Sequence, residues 1–269
     1  MTGVQTCALP ICGWAANGRT SVKLADLGNV SVAGSIIKPG FGSIESNVND
    51  RSKEEILQYD VATNFELGKF FPESLGLKIP MFIGYSETFK TPEYNPLDQD
   101  IKLKDALDNA DSKSERDSIK RMSQDYTRRK SINFTNVKFV KTKGKPHFYD
   151  IANWSATYSY SEQFARNVDL DHRIQKEYRG VLGYNYNSQP IFLSPFQKLK
   201  PFRNKAFALI RDFNLNLVPS QLTFRTDVNR SYREEQRRNL SNANQIIMPT
   251  YSKDFAWTRF YSFSFDVTR

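Results

Sequence analysis

Two histidines, His147 and His172, are the only imidazoles in the chain, so a metal site or a general base would have to start from them. Neither has a companion at HxxxH or HxH spacing, and a histidine metal centre is not expected. "DLDH" at 169–172 and "DQD" at 98–100 bring carboxylates together, but neither follows the order of a calcium loop such as DxDxDG. "GFGSIE" at 40–45 is half of a GxGxxG and does not stand between a buried strand and a helix. The sequons "NFT" at 133–135 and "NWS" at 153–155 fall in expected strands. No GxSxG and no Cys–His pair supplies a nucleophile. The sequence therefore assigns no catalytic, cofactor-binding or metal-ligating residue, and no enzyme is expected.

Both cysteines, Cys7 and Cys12, lie in the opening "MTGVQTCALPIC", which resembles nothing downstream. That run lacks Lys and Arg, so it has no basic n-region of a signal peptide. One reading frame of a common short-read sequencing adapter translates as Met-Thr-Gly-Val-Gln-Thr-Cys-Ala-Leu-Pro-Ile, and Cys12 spans the join. Residues 1–12 are read as adapter-derived and 13–269 as the protein. Without those cysteines, neither a disulfide framework nor a thiolate metal site is available.

The elements that remain must be inferred from composition and pattern. Apolar residues make up 39% of the chain, yet aromatics reach 13%, with 20 Phe and 13 Tyr, which argues against disorder. No run approaches the ~20 apolar residues of a spanning helix. The 38 basic and 29 acidic residues leave a net charge of +9, but the cations are spread along the chain, and no nucleic-acid partner is expected.

Read in steps of two, the chain alternates. Even positions from Ser21 to Ile37 carry Val22, Leu24, Val30, Val32 and Ile36, with Asp26 and Gly28 interrupting. Tyr59, Val61, Thr63 and Phe65 form a second row, and Met81, Ile83 and Tyr85 a third, in which Pro80 imposes a kink or one-sided pairing. Further rows begin at Trp154, Tyr178, Phe207, Leu222 and Phe255, and a shorter run, "SINFTNVKFV", makes nine candidate strands. Several runs continue for 11 to 15 residues. Soluble strands average ~5–6, whereas a tilted transmembrane strand needs ~9–11. One face is aromatic and aliphatic and the other Ser, Thr, Asn, Asp and Arg, the pattern of a membrane barrel around water. A soluble sandwich alternates too and stays as the alternative.

The fold class expected is all-β: antiparallel strands forming a partial segment of a very large transmembrane β-barrel, with a charged helical insertion between strands. Between 91 and 129 the composition changes to a charged run nearly free of aromatics, read as one or two polar helices in an extramembrane insertion. A solvated loop is preferred there over a partner-docking module. The "FFPESLG" and "VPS" turns fall on opposite rims by strand count. Three explanations stay open: "SINFTNVKFV" does not span, Ile191–Phe202 hides a strand, or both rims have tight turns.

At "YDVATNFELGKFFPESLGLKIPMFIGYSETFKTPEYNPLDQDIKLKDAL", residues 59–107, the chain resembles the SprA/Sov family, the outer-membrane translocon of the Bacteroidetes type IX secretion system, also needed for gliding motility. "YDIANWSATYSYSE", "YRGVLGYNY", "LIRDFNLNLVPSQLTFRTDVNRSY" and "KDFAWTRFYSFSFDVT" extend the resemblance over nearly all of 20–269. It implies a barrel of about 36 strands, of which this chain would supply part of the wall. It also implies a pore for cargo with C-terminal secretion domains, plug and shuttle subunits as partners, lipid around the barrel, and neither catalysis nor cofactor. A lipopolysaccharide-assembly or nutrient-uptake barrel would keep the fold and change the cargo, and a soluble adhesin-like protein would discard the membrane.

Overall fold

A computed structural model describes residues 13–42, 51–141, 147–188, 192–193, 214–216, 218–242 and 245–266. The segment read as adapter lies outside them. Among the described residues nine long strands run in chain order: β1 (Ala15–Leu24), β2 (Gly28–Ile37), β3 (Glu54–Glu66), β5 (Pro80–Pro92), β8 (Asp125–Phe139), β9 (Trp154–Arg166), β10 (Leu170–Asn187), β13 (Gln221–Arg237) and β14 (Thr250–Ser264). Short elements lie between them: β4 (Leu77–Lys78), β6 (Tyr94–Asn95), β7 (Asp98–Lys102), α1 (Leu103–Asp108), α2 (Lys113–Ser123), β11 (Phe192–Leu193) and β12 (Leu215–Asn216). The long strands form one sheet in the order β1-β2-β3-β5-β8-β9-β10-β13-β14, with β4 beside β8. Each pairing is antiparallel, so this is a meander. The strands β1 and β14 are its edges and do not pair with each other, so the sheet is open.

The run from Ser21 to Ile37, read as one strand, is a hairpin. Its loop is Ala25–Leu27, and Leu24 stands opposite Gly28. A three-residue loop preserves the parity of the numbering, so even positions stay on one face in both strands and the turn is invisible to a period-2 reading. "SINFTNVKFV" is the end of a 15-residue strand, β8. Its start at Asp125 moves the limit of the insertion, read as 129, back to 124, and β5 extends to Pro92. Charges on both faces of 125–130 hide the alternation there, while backbone pairing to β5 continues through Lys90 and Asp125.

One extra residue in β8 shifts the register between Phe134 and Val137. Asn136 takes a left-handed φ of 55°, and its N–H donates to Thr157 Oγ1 at 3.0 Å. This bulge moves the apolar set from Ile132 and Phe134 to Val137 and Phe139 without leaving the face. At Pro80 the expected interruption is present: β4 and β5 are separate, and the N–H of Ile79 between them donates to Glu66 Oε1 at 2.6 Å.

The run 207–217 falls mostly outside the described residues. Its described end, β12, pairs with β11 in a separate two-stranded sheet, while β10 pairs directly with β13. The "FFPESLG" and "VPS" turns consequently lie at the same end of the sheet, which corrects the opposite-rim count. Tight three-residue links are found at both ends, Ala25–Leu27 at this one and Asn167–Asp169 at the other.

The molecule has almost no interior. Buried apolar side chains among the described residues are Leu103, Leu170 and Tyr184. The accessible surface is 19501 Å², against about 12,000 Å² for a compact monomer of this mass. A single layer is held by its ladders and by cross-strand pairs worth roughly 0.2–1 kcal/mol each, such as Trp154–Tyr184 and Phe224–Tyr261, with ring centroids 5.0 and 5.1 Å apart. Sheets ordinarily bury one face against another layer. Among the described residues no second layer covers either face.

Candidate functional site: the two faces of the sheet

Directly opposed residues in an antiparallel ladder share a face, so the registers allow one face to be followed from edge to edge. One row runs Met81, Phe134, Tyr158, Gly180, Val228 and Trp257. The next runs Val30, Thr63, Ile83, Ile132, Tyr160 and Tyr178. Those rows belong to a broad apolar belt that includes Trp154, Leu182, Tyr184, Phe224, Tyr261 and Phe263. Much of it is open: Trp257 is 56% exposed and Phe263 65%. The face assigned to each of these residues from alternation is the one it occupies.

The opposite face is polar. Ser155, Thr157, Ser159, Asn185, Thr223, Asn229, Ser262 and Ser264 lie on it, together with Asp60, Gln58, Arg179, Arg225 and Asp227. Asn216, expected on that face, is instead fully buried in the β11–β12 pair. The aromatics Phe82 and Phe260 also stand on the polar face, opposite Asn64 and Arg225. Its polar groups bond to one another: Gln58 Nε2 donates to Asp60 Oδ2 at 2.9 Å, Arg225 Nε to Asp227 Oδ2 at 2.9 Å, and Ser231 Oγ to Asp254 Oδ2 at 3.1 Å. Open depressions of about 450 and 440 Å³ lie against this face, beside Ser161, Gln175 and Glu177 and beside Asn229, Ser231 and Asp254.

The apolar belt does not run parallel to the ladder rows. On β5 it begins at Met81, and Leu77 opposite Phe139 continues it on β4 and β8. On β14 it begins at Phe263, six residues below Trp257, the residue of Met81's own row, with Arg259 between them, its guanidinium over the Trp257 ring at 3.7 Å. Its other limit is marked by charge: Glu87 on β5, Lys130 on β8, Glu162 on β9, Lys176 on β10 and Arg230 on β13 are the first ionisable acids or bases met on leaving the belt, tyrosines aside. Three of the strands carry the same local motif there, Tyr-x-Glu at 85–87, 160–162 and 232–234. Residues i and i+2 share a strand face, so each tyrosine reaches its own glutamate: Tyr85 Oη donates to Glu87 at 2.5 Å, Tyr160 Oη to Glu162 at 2.7 Å and Tyr232 Oη to Glu234 at 2.7 Å. The signal was present in the sequence as "YSE" twice and "YRE" once, and the alternation reading passed over it.

The sequence suggests a loop for each histidine; His147 does lie in the loop before β9, but His172 belongs to β10. There its ring nitrogens stand 3.2 Å from Asp171 and 3.3 Å from Glu234. Asp98 and Asp100 are exposed on β7. Of the sequons, Asn133 is in β8, and Asn153 is in the 3-10 turn before β9 rather than in a strand. Among the described residues no group of three or more His, Cys, Asp or Glu side chains is placed to hold a metal ion, and no helix is long and apolar enough to cross a membrane.

The insertion between β5 and β8 holds the β6–β7 hairpin and the two helices. Ser112 caps α2, accepting from the N–H of Glu115 at 3.1 Å, while Glu115 Oε2 accepts from the N–H of Asp111 at 3.0 Å. Leu103, the first residue of α1, is buried, 2% exposed.

Comparison with curated proteins finds no match. A family model does match: SprA_N, described as a motility related/secretion protein, over residues 9–107. The matched segment contains β1 to β7 and most of α1, and therefore the first four long strands of the two-faced sheet. Over those residues, somewhat more than a third of the chain, the protein is similar to the SprA_N domain of motility-related and secretion proteins.

Proposed function

We propose that this chain forms part of the wall of an outer-membrane conduit that exports proteins bearing C-terminal secretion domains, as in type IX secretion and gliding motility of Bacteroidetes-type cells. Lipid covers the apolar belt, cargo passes the polar face, and plug and shuttle subunits complete the translocon. The wall itself has no catalytic role and takes no cofactor.

The observation that carries this reading is the slope of the belt. Its charged limit moves from Glu87 on β5 to Arg230 on β13, four residues short of Glu234, the residue of Glu87's own row, about 13 Å at the usual strand rise. Over the same interval it crosses four inter-strand steps, about 19 Å. A plane following that limit meets strands inclined by about 35° to its normal, at the lower end of the ~35–45° tilt of transmembrane barrel strands. On β10 the belt extends from Tyr178 to Tyr186, about 27 Å along the strand and about 22 Å along the normal, close to the ~25 Å apolar band of outer-membrane barrels. The SprA_N match supports secretion as the process. Polar side chains on the opposite face stay hydrated in a water-filled lumen, and they offer a passing protein little apolar area to adhere to.

Replacing Ser155, Thr157, Ser159 and Thr223 with Leu in the full-length protein tests this. An apolar lining gains about 25 cal/mol for each Å² it buries against cargo, so export should slow while barrel abundance in the outer membrane stays constant. Ser-to-Ala changes at the same places should leave export near the wild-type rate. Secretion at the wild-type rate through the Leu-lined barrel, or continued secretion after deletion of the whole gene, would show that this wall does not line the conduit.

A further inference from the structure

The apolar belt does not end with the strands. Where Trp154 opens β9, the loop 147–153 folds back onto the belt side of the sheet. Tyr184, a belt residue of β10, donates its hydroxyl to the carbonyl oxygen of Phe148. Trp154 packs on the same tyrosine, ring centroids 5.0 Å apart, and Tyr184 is buried. That hydroxyl is the outer tip of a side chain standing off the sheet. The loop therefore lies toward the apolar face and away from the polar one.

Within the loop, polar groups pair with one another. Asp150 Oδ2 accepts from Lys141 Nζ at 2.6 Å and from the N–H of His147 at 2.8 Å, and its carboxylate is little exposed. The carbonyl oxygen of His147 accepts from the N–H of Asp150 at 3.1 Å and from Asn153 Nδ2 at 2.7 Å. The N–H of Asn153 donates to the carbonyl oxygen of Asp150 at 3.1 Å. The apolar side chains are distributed the opposite way: Phe148 is 66% exposed, Tyr149 68% and Ile151 61%. Polar groups paired inside and apolar groups outside suit a medium poorer in hydrogen-bond partners than water.

Resting on the bilayer reading above, we infer that Phe148, Tyr149 and Ile151 enter the interfacial zone of the bilayer and anchor this rim of the wall to lipid. Side, depth and chemistry select that occupant. The loop stands on the belt side, whereas cargo would pass the polar face. Its tether, Tyr184, is two residues from Tyr186, where the belt ends on β10, so the loop is at the depth at which aromatic rings meet lipid headgroups. Asp150, the one carboxylate of 147–153, is matched by Lys141 and presents no unpaired negative charge to the lipid.

The test places a bimane label at one position at a time, Phe148→Cys, Ile151→Cys, Leu182→Cys or Asn229→Cys, in the full-length protein. The carrier is vesicles of phosphatidylcholine brominated either near the headgroup or near the bilayer centre. Labels at 148 and 151 should be quenched, and more strongly by the shallow bromine than by the deep one. The label at 182 reads the middle of the belt and should be quenched by the deep bromine, while the label at 229, on the polar face, should be quenched by neither. In Phe148→Ser with Tyr149→Ser, the label at 151 should lose most of its shallow quenching. Undiminished quenching there overturns the anchoring role of the two rings. Unquenched labels at 148 and 151, with quenching intact at 182, overturn the anchor and leave the bilayer reading standing. Absence of quenching at 182 as well overturns both.

Discussion

Gly28 begins β2 with φ at 153°, in a backbone region that side-chain-bearing residues rarely adopt. A Cβ added there would come within 1.9 Å of the carbonyl oxygen of Asn64 on β3. Gly28→Ala therefore combines strain with a backbone clash and should destabilise the β1–β2–β3 corner by roughly 1–3 kcal/mol, seen as faster amide exchange in β2 than in β9. A second residue-scale device closes the loop before β9. Asp150 Oδ2 accepts from Lys141 Nζ at 2.6 Å and from the N–H of His147 at 2.8 Å, and these bonds, the lysine's foremost, hold its carboxyl below the ordinary carboxylate range. Because the folded carboxyl titrates lower than a free one, its contribution is complete above about pH 4 and is lost as pH falls through the lower folded value. Exchange protection of the His147 amide should be flat above about pH 4 and decline below it. In Asp150→Asn it should be low throughout.

At the scale of the strand, length and face are set by different forces. The backbone ladder continues wherever N–H and C=O groups can pair, so β8, β10 and β13 run through charged segments that carry no alternation. Facing is decided by what each side chain meets. Tyr158 and Thr157 are neighbours on β9 that face opposite ways, so the same substitution should have opposite consequences at the two positions. Tyr158→Arg places a charge in the belt and should cost ~2–4 kcal/mol if lipid lies there, whereas Thr157→Arg should cost little. Urea titration of the full-length protein refolded into lipid vesicles measures both. Equal small costs would mean that water wets both faces.

The described residues form one main layer whose apolar belt none of them covers, and apolar patches of that extent mark surfaces that other matter covers. In dilute buffer the chain should self-associate along this face and along the open edges β1 and β14. Detergent should disperse it into micelle-bound particles. Sedimentation with and without a micelle-forming detergent distinguishes the states. A monodisperse monomer in plain buffer would show that the belt needs no cover.

What the sequence determined by itself was the local chemistry of each strand. The period-2 rows placed Tyr59, Val61, Trp154, Tyr158, Leu182 and Phe263 on one face and Ser155, Thr157 and Ser262 on the other, because successive Cβ atoms must point to opposite sides of a pleat. The kink at Pro80 followed from its missing N–H in the same way. Tertiary structure alone decided how those rows were cut and joined. The hairpin inside 15–37 was hidden because its loop preserves parity, and the bulge at Asn136 because it changes parity only once the partner strand is known. The direct pairing of β10 with β13 sets the Leu215–Asn216 strand apart from the sheet. The slope of the belt depends on register, which is a relation between strands far apart in the chain. No single strand contains it, nor the meeting of Tyr59, Tyr85 and Tyr126 on Glu87.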